Sequence, residues 1–299
     1  MRDVSIIIPT YNRPDDIASV LPYYLSQDDV LEIIIIDDGS SLSYENVIAK
    51  FSKDKTISIV YHKNRINMGA AASRNKGLEL SRGTYVLWGE DDAYLSSNYV
   101  KTLKSKIQNN NLIAFGSIFY GIHPSMSETE RQAIIAKQLA SSNKLFNYEL
   151  LEGYYRLNTG KDIFVPWAHA LLLANKNAYN NVTYYEGYKV NGYREETDAQ
   201  VQMTKNGYKI LYTPDTCCYH FPARNEKGGQ HSSSVLRYEF YKILNNNIFL
   251  NRHYSFLAKE YNLQCPKGCL KWKFAMNTIH SLVNRLINKC RRHLGLEVW

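Results

Sequence analysis

The stretch Val4-Ser-Ile-Ile-Ile-Pro-Thr-Tyr-Asn-Arg13 decides the fold class. Its first five residues are β-branched apart from one serine, and the run is too short for a helix and stops at a proline followed by polar side chains. Such a run reads as a strand. Outward from it, apolar runs recur at 33–36, 57–61, 85–88 and 112–119, and helix-like segments fit between them at 15–25, 44–51, 70–80 and 98–108. This alternation predicts an α/β fold with a mostly parallel central sheet flanked by helices on both faces. Beyond about residue 121 the regularity weakens. A helix is expected over 127–139, another over 195–206, and a strand-like stretch over 208–219; a soft boundary after His220, where the composition turns polar and Gly-containing, divides residues 1–220 from a helical, basic C-terminal extension at 221–299.

Composition narrows the function. With 299 residues, 44% hydrophobic and 21% charged, the chain is globular rather than disordered. No apolar run approaches the roughly 18 residues of a membrane-spanning helix, and the N-terminus lacks the apolar segment and cleavage site of a secretory leader, so a cytoplasmic location is expected. Cys217, Cys218, Cys265, Cys269 and Cys290 are an odd set, expected to be free thiols. From Asn251 onward nine Lys/Arg face only Glu260 and Glu297, so that segment carries +7 of the chain's net +8. A localised anionic partner therefore explains the charge better than a protein-wide nucleic-acid field. Residues 270–294 read as a basic amphipathic helix that either lies on an anionic membrane surface or packs on its own domain.

In a parallel sheet, ligands settle beyond the strand C-terminal ends. There the sequence places Pro9-Thr-Tyr-Asn-Arg13, Asp37-Asp-Gly-Ser40 and Gly89-Glu-Asp-Asp92. The acids Glu90, Asp91 and Asp92 suit a divalent cation and a phosphorylated ligand, or else form a solvated turn. Asp38 has the reach to accept from a base or ribose, although Asp-Gly is also a common turn. In Asn67-Met-Gly-Ala-Ala-Ala-Ser-Arg-Asn-Lys-Gly77 the small residues let a helix start close to a ligand, and Arg74 is placed to reach a diphosphate or a nearby acid. Arg194-Glu-Glu-Thr-Asp198 opens a helix with carboxylates that either stabilise its N-terminus or present a general base.

In this order and spacing, these motifs resemble the family 2 glycosyltransferases of the GT-A fold, over about residues 4–220. The resemblance implies an inverting transfer, usually cation-dependent (Mn2+ or Mg2+), from a nucleotide-diphosphate sugar, most often UDP-linked, to a hydroxyl of a saccharide or lipid-linked saccharide in surface glycan synthesis. By position it assigns Pro9, Thr10, Tyr11 and Asp38 to the nucleoside, Asn67 and Arg74 to the base or diphosphate, and Asp92 to the metal with Glu90 or Asp91 assisting and His220 as a further ligand. The base lies among Glu196, Glu195 and Asp198, with Glu196 standing where the family has Asp. Trp167 and His169 are candidates for the acceptor site, although core packing is the commoner fate of such a tryptophan. The expected location is cytoplasmic, extending to the cytoplasmic face of a membrane. The competing readings are a catalytically silent nucleotide-sugar-binding or scaffold protein, and a nucleotidyltransferase; the latter would favour a Gly-rich, basic loop after the first strand, which residues 9–13 lack.

Overall fold

The computed structural model describes residues 2–52, 56–108, 111–141, 143–221 and 234–293. In chain order the elements are β1 (Val4–Thr10), α1 (Pro14–Leu25), β2 (Val30–Asp37), α2 (Glu45–Phe51), β3 (Ser58–Lys63), α3 (Ala70–Leu80), β4 (Tyr85–Trp88), β5 (Ala93–Leu95), α4 (Tyr99–Lys106) and β6 (Leu112–Tyr120). There follow α5 (Glu128–Ser141), the short strands β7 (Phe146–Asn147), β8 (Glu152–Gly153), β9 (Ile163–Val165) and β10 (Leu173–Asn175), then α6 (Glu195–Lys205), β11 (Lys209–His220), α7 (Val235–Glu260) and α8 (Lys267–His293).

Among the described residues the main sheet runs β3-β2-β1-β4-β10-β6-β11-β5, with β9 also on β11. The pairs β1–β2, β1–β4, β2–β3 and β6–β11 are parallel. Ile6, Ile7 and Ile8 have no exposed surface, because helices cover both faces of β1. Pro9 is tolerated at its end: the Ile7 carbonyl accepts from Gly89 on the β4 side, so the N–H that Pro9 lacks points to the same side, beyond the last paired residue of β4. Helix α3 lies directly on β1, since a Cβ on Gly77 would stand 2.2 Å from the Ile7 side chain.

The clearest departure from the expected succession lies in the middle of the sheet. β10, far along the chain, inserts antiparallel between β4 and β6. Its three residues are fully apolar or buried but too few to announce a strand in sequence. The boundary expected after His220 falls beside residues 222–233, outside those described. Helices α7 and α8 then pair antiparallel, with Tyr254 hydroxyl donating to the Cys265 carbonyl, Lys271 to Asn251, and Arg285 to Glu239.

Candidate active site

Gly89 turns the chain against β1 after Trp88, where a Cβ would lie 2.8 Å from the Ile8 side chain. The acids that follow therefore reach the edge of the sheet. β5 then runs antiparallel to the end of β11, setting Ala93 opposite His220, and the Phe221 amide donates to the Asp92 carbonyl at 2.8 Å. This pairing brings an imidazole from a distant strand beside the acidic turn. One ligand atom each from Glu90, Asp92 and His220 lie within 4.8 Å of one another. His220 Nδ1 stands 2.9 Å from the Phe221 carbonyl oxygen; with Nδ1–H donating there, Nε2 is the ring nitrogen turned to Asp92 Oδ1, at 3.3 Å. Burial, then the charges of Glu196 and Asp92, push the Glu90 carboxyl up against the opposing pull of His220. Burial alone would lower His220, but Asp92 and Glu90 raise it on balance. Crowded carboxylates beside an imidazole are an oxygen-rich donor set, and these three residues fit a hard divalent cation.

Arg13 closes the next part of the site. Its Nη1 donates to Asp91 Oδ1 at 2.9 Å and Asp92 Oδ2 at 2.8 Å. Asp91 also accepts from Thr10 Oγ1 at 2.8 Å, and burial, reinforced by Asp92, raises its carboxyl in spite of Arg13. Asp38 accepts from Asn64 and Met68 amide at 2.9 Å and from Gly69 amide at 2.8 Å. It holds the entry to α3, a loop that Gly39 (φ +74°) lets approach to where no side chain would fit.

Helix α6 starts from Arg194 in the left-handed region (φ 77°) and points Glu195 and Glu196 toward α3. Arg74 answers both, its two terminal nitrogens donating one to each carboxylate, with the Trp88 and Tyr184 rings 5.9 and 5.7 Å from the guanidinium. Of the two roles open in the sequence, the acid pair is the one formed. Glu195 is nearly enclosed, and burial lifts its carboxyl to about 7 despite Arg74. Glu196 keeps 31% of its side chain exposed. A single cavity of about 570 Å³ is lined by Pro9, Thr10, Tyr11, Asp38, Asn67, Arg74, Glu90, Asp91, Asp92, Glu195, Glu196 and His220.

Three candidates are not brought to it. Asp198 lies two residues beyond Glu196, about 200° around the helix, and its fully buried carboxylate meets Arg252 Nε at 2.6 Å and the Tyr188 hydroxyl and His253 Nε2 at 2.8 Å. Burial alone would raise it, but His253, Arg252 and Tyr188 outweigh that and leave it at about 2, so it is an anchor for α7 and not a base. Trp167 is 3% exposed and packs edge-on against Phe146 and Phe249, with the Arg194 guanidinium 5.5 Å from its ring. His169 Nε2 bonds the Gly116 carbonyl at 3.0 Å beside Phe115, and burial draws its pKa down to about 4. Sequence reasoning gave no role to Arg13, nor to the segment carrying Glu186, Tyr188 and Val190, which forms another wall of the cavity. Gly187 and Gly192 signal turns there, but nothing in the sequence says which way the turns face.

The sequence model for glycosyl transferase family 2 matches residues 5–173, more than half of the chain. The chain belongs to this family. Curated relatives of this chain include EpsJ of Bacillus subtilis, a glycosyltransferase 27% identical over 168 residues, covering 56% of this chain and 46% of that protein. Another is the GalNAc(5)-diNAcBac-PP-undecaprenol beta-1,3-glucosyltransferase of Campylobacter jejuni, 30% identical over 118 residues, 39% of this chain and 38% of that one. The match thus spans less than half the length of either relative. Among solved structures, S. aureus TarS 1–349 covers 95% of this chain and 82% of its own at TM-score 0.54 and 16% identity. GalNAc-T7 with UDP, GalNAc and Mn2+ covers 92% and 54% at TM-score 0.59 and 15% identity. At such identities the likeness speaks for the fold, which is that of the GT-A glycosyltransferases, as the family 2 motifs imply.

Proposed function

We propose that this family 2 glycosyltransferase moves a sugar from a UDP-sugar to a hydroxyl of a saccharide or lipid-linked saccharide, with inversion and with a divalent cation. One observation carries the reading: the partly exposed Glu196 carboxylate opens into the same cavity as the Glu90–Asp92–His220 cluster. The reacting centre then lies between a base and a site for the departing diphosphate. The TarS fragment solved with UDP-GlcNAc and the GalNAc-T7 structure with UDP and Mn2+ support the donor class and the cation.

Pro9, Thr10, Tyr11 and Asn67 line the nucleoside side, with Asp38 and Asp91 holding the loops that shape it. Asp92, Glu90 and His220 would hold Mn2+ or Mg2+, which when bound neutralises the diphosphate and eases its departure. Glu196 takes the proton from the acceptor hydroxyl as that oxygen attacks the anomeric carbon, opposite the bond to the leaving UDP; one displacement inverts the centre. Arg74 does not meet the leaving group in this reading. It holds the Glu196 carboxylate in place.

The test is Glu196→Gln assayed against a panel of nucleotide sugars with and without Mn2+. Transfer should fall by about 10²–10⁴-fold with donor KM nearly unchanged. Undiminished turnover would reject Glu196 as the base, and donor binding without transfer by the wild type under every condition would favour the silent binding protein.

A further inference from the structure

Helix α8 has two apolar stripes. Leu270 and Phe274 face α7 and are buried. At about 100° per residue, Trp272, Met276, Ile279, Val283, Leu286 and Ile287 gather on the opposite side; each is 44–64% exposed. The same rotation sets Lys271 and Lys289 along one edge of that stripe and Lys273 and Arg291 along the other. The Glu239–Arg285 pair brings the start of α7 alongside, where Leu236 and Phe240 are 66% and 63% exposed.

The geometry points to the α7–α8 hairpin as a docking face for an anionic lipid bilayer. An apolar band framed by cations on both edges suits the headgroup boundary: the band enters the acyl region while lysine stems reach back to the phosphates. Charge selects lipid over a second copy of the chain, because α8 contains no acid and its apolar stripe is edged only by cations, so two such faces would repel. Glu239 on α7 pairs with Arg285, and of the neighbouring acids Glu149 stands 3.8 Å from Lys273 and Glu152 3.8 Å from Lys242.

α7 also supports the cavity. Asn245 accepts from the Lys189 amide at 2.9 Å and donates to its carbonyl at 2.8 Å, and Asn191 donates to the Tyr238 carbonyl at 2.9 Å, on either side of the cavity residue Val190. A docked hairpin therefore stands beside the cavity wall. Resting on the transfer reading above, this makes the acceptor a saccharide carried on a membrane lipid.

The experiment sediments the full chain with phosphatidylcholine vesicles, with and without phosphatidylglycerol. Binding should require the anionic lipid, weaken as salt rises, and fall by about tenfold or more in Leu286→Ser/Ile287→Ser and in Phe240→Ser. A blue shift of tryptophan fluorescence on anionic vesicles should be lost in Trp272→Phe. Equal sedimentation of wild type and the double variant overturns the proposal, as does a concentration-dependent dimer broken by these substitutions without any vesicle binding. UDP release from the donor, which the variants should keep, separates the two readings: failure of vesicle binding with turnover intact sinks only the docking face, and intact binding without turnover sinks only the transferase reading.

Discussion

Arg74 is the residue on which the site turns. Its planar fork satisfies two carboxylates from a helix more than a hundred positions away in sequence, a geometry that lysine's single ammonium does not reproduce. Arg74→Lys should lower kcat by about 10- to 100-fold, because a misplaced base loses orientation, and should leave the donor KM nearly constant. A raised donor KM at unchanged kcat would instead return Arg74 to the diphosphate. The residue type was legible in the sequence, and so was the choice between acid and phosphate. Which of the two it takes depends on where α6 lands.

At the scale of elements, two contacts set that landing. Helix α3 reaches β1 only because residue 77 has no side chain; Gly77→Ala would drive a methyl into Ile7 and should cost about 1–3 kcal/mol of stability, read from the urea midpoint. An unmoved midpoint would mean that α3 shifts freely on the sheet. Helix α6 is tied to α7 through Asp198, whose carboxyl, near 2 in the fold against an ordinary 3.8, contributes stability that is present above about pH 4 and lost as pH falls through 2. Asp198→Asn should therefore destabilise by about 2–4 kcal/mol at pH 7, and the gap to wild type should close toward pH 2. A gap independent of pH would show that packing and not charge joins the helices.

For the whole molecule, the C-terminal helices complete the body that holds Glu195 and Glu196. Phe274 lies 5.7 Å from both the Tyr193 ring and the Arg194 guanidinium, at the entrance to α6, so α8 reaches back to the start of the helix that carries Glu195 and Glu196. Removing residues 267–299 uncovers this cluster, and the loss of two large buried side chains should lower Tm by about 5 °C or more. An unchanged Tm would make α8 an independent appendage. No helix of the described residues is long and apolar enough to cross a membrane.

The amino-acid pattern by itself determined the α/β class, the helix Ala70–Leu80, the strand Tyr85–Trp88 and the cluster of polar residues at strand ends, because hydrophobic period, small residues and turn chemistry are local properties. It also carried the family, since the motifs and their order are written along the chain. Only the tertiary structure decided that β10 would part β4 from β6, that Arg74 would take Glu195 and Glu196, and that Asp198 and His169 would turn inward. Those outcomes rest on contacts between segments far apart in sequence, where burial of one side chain depends on the arrival of another, and no local pattern encodes that meeting.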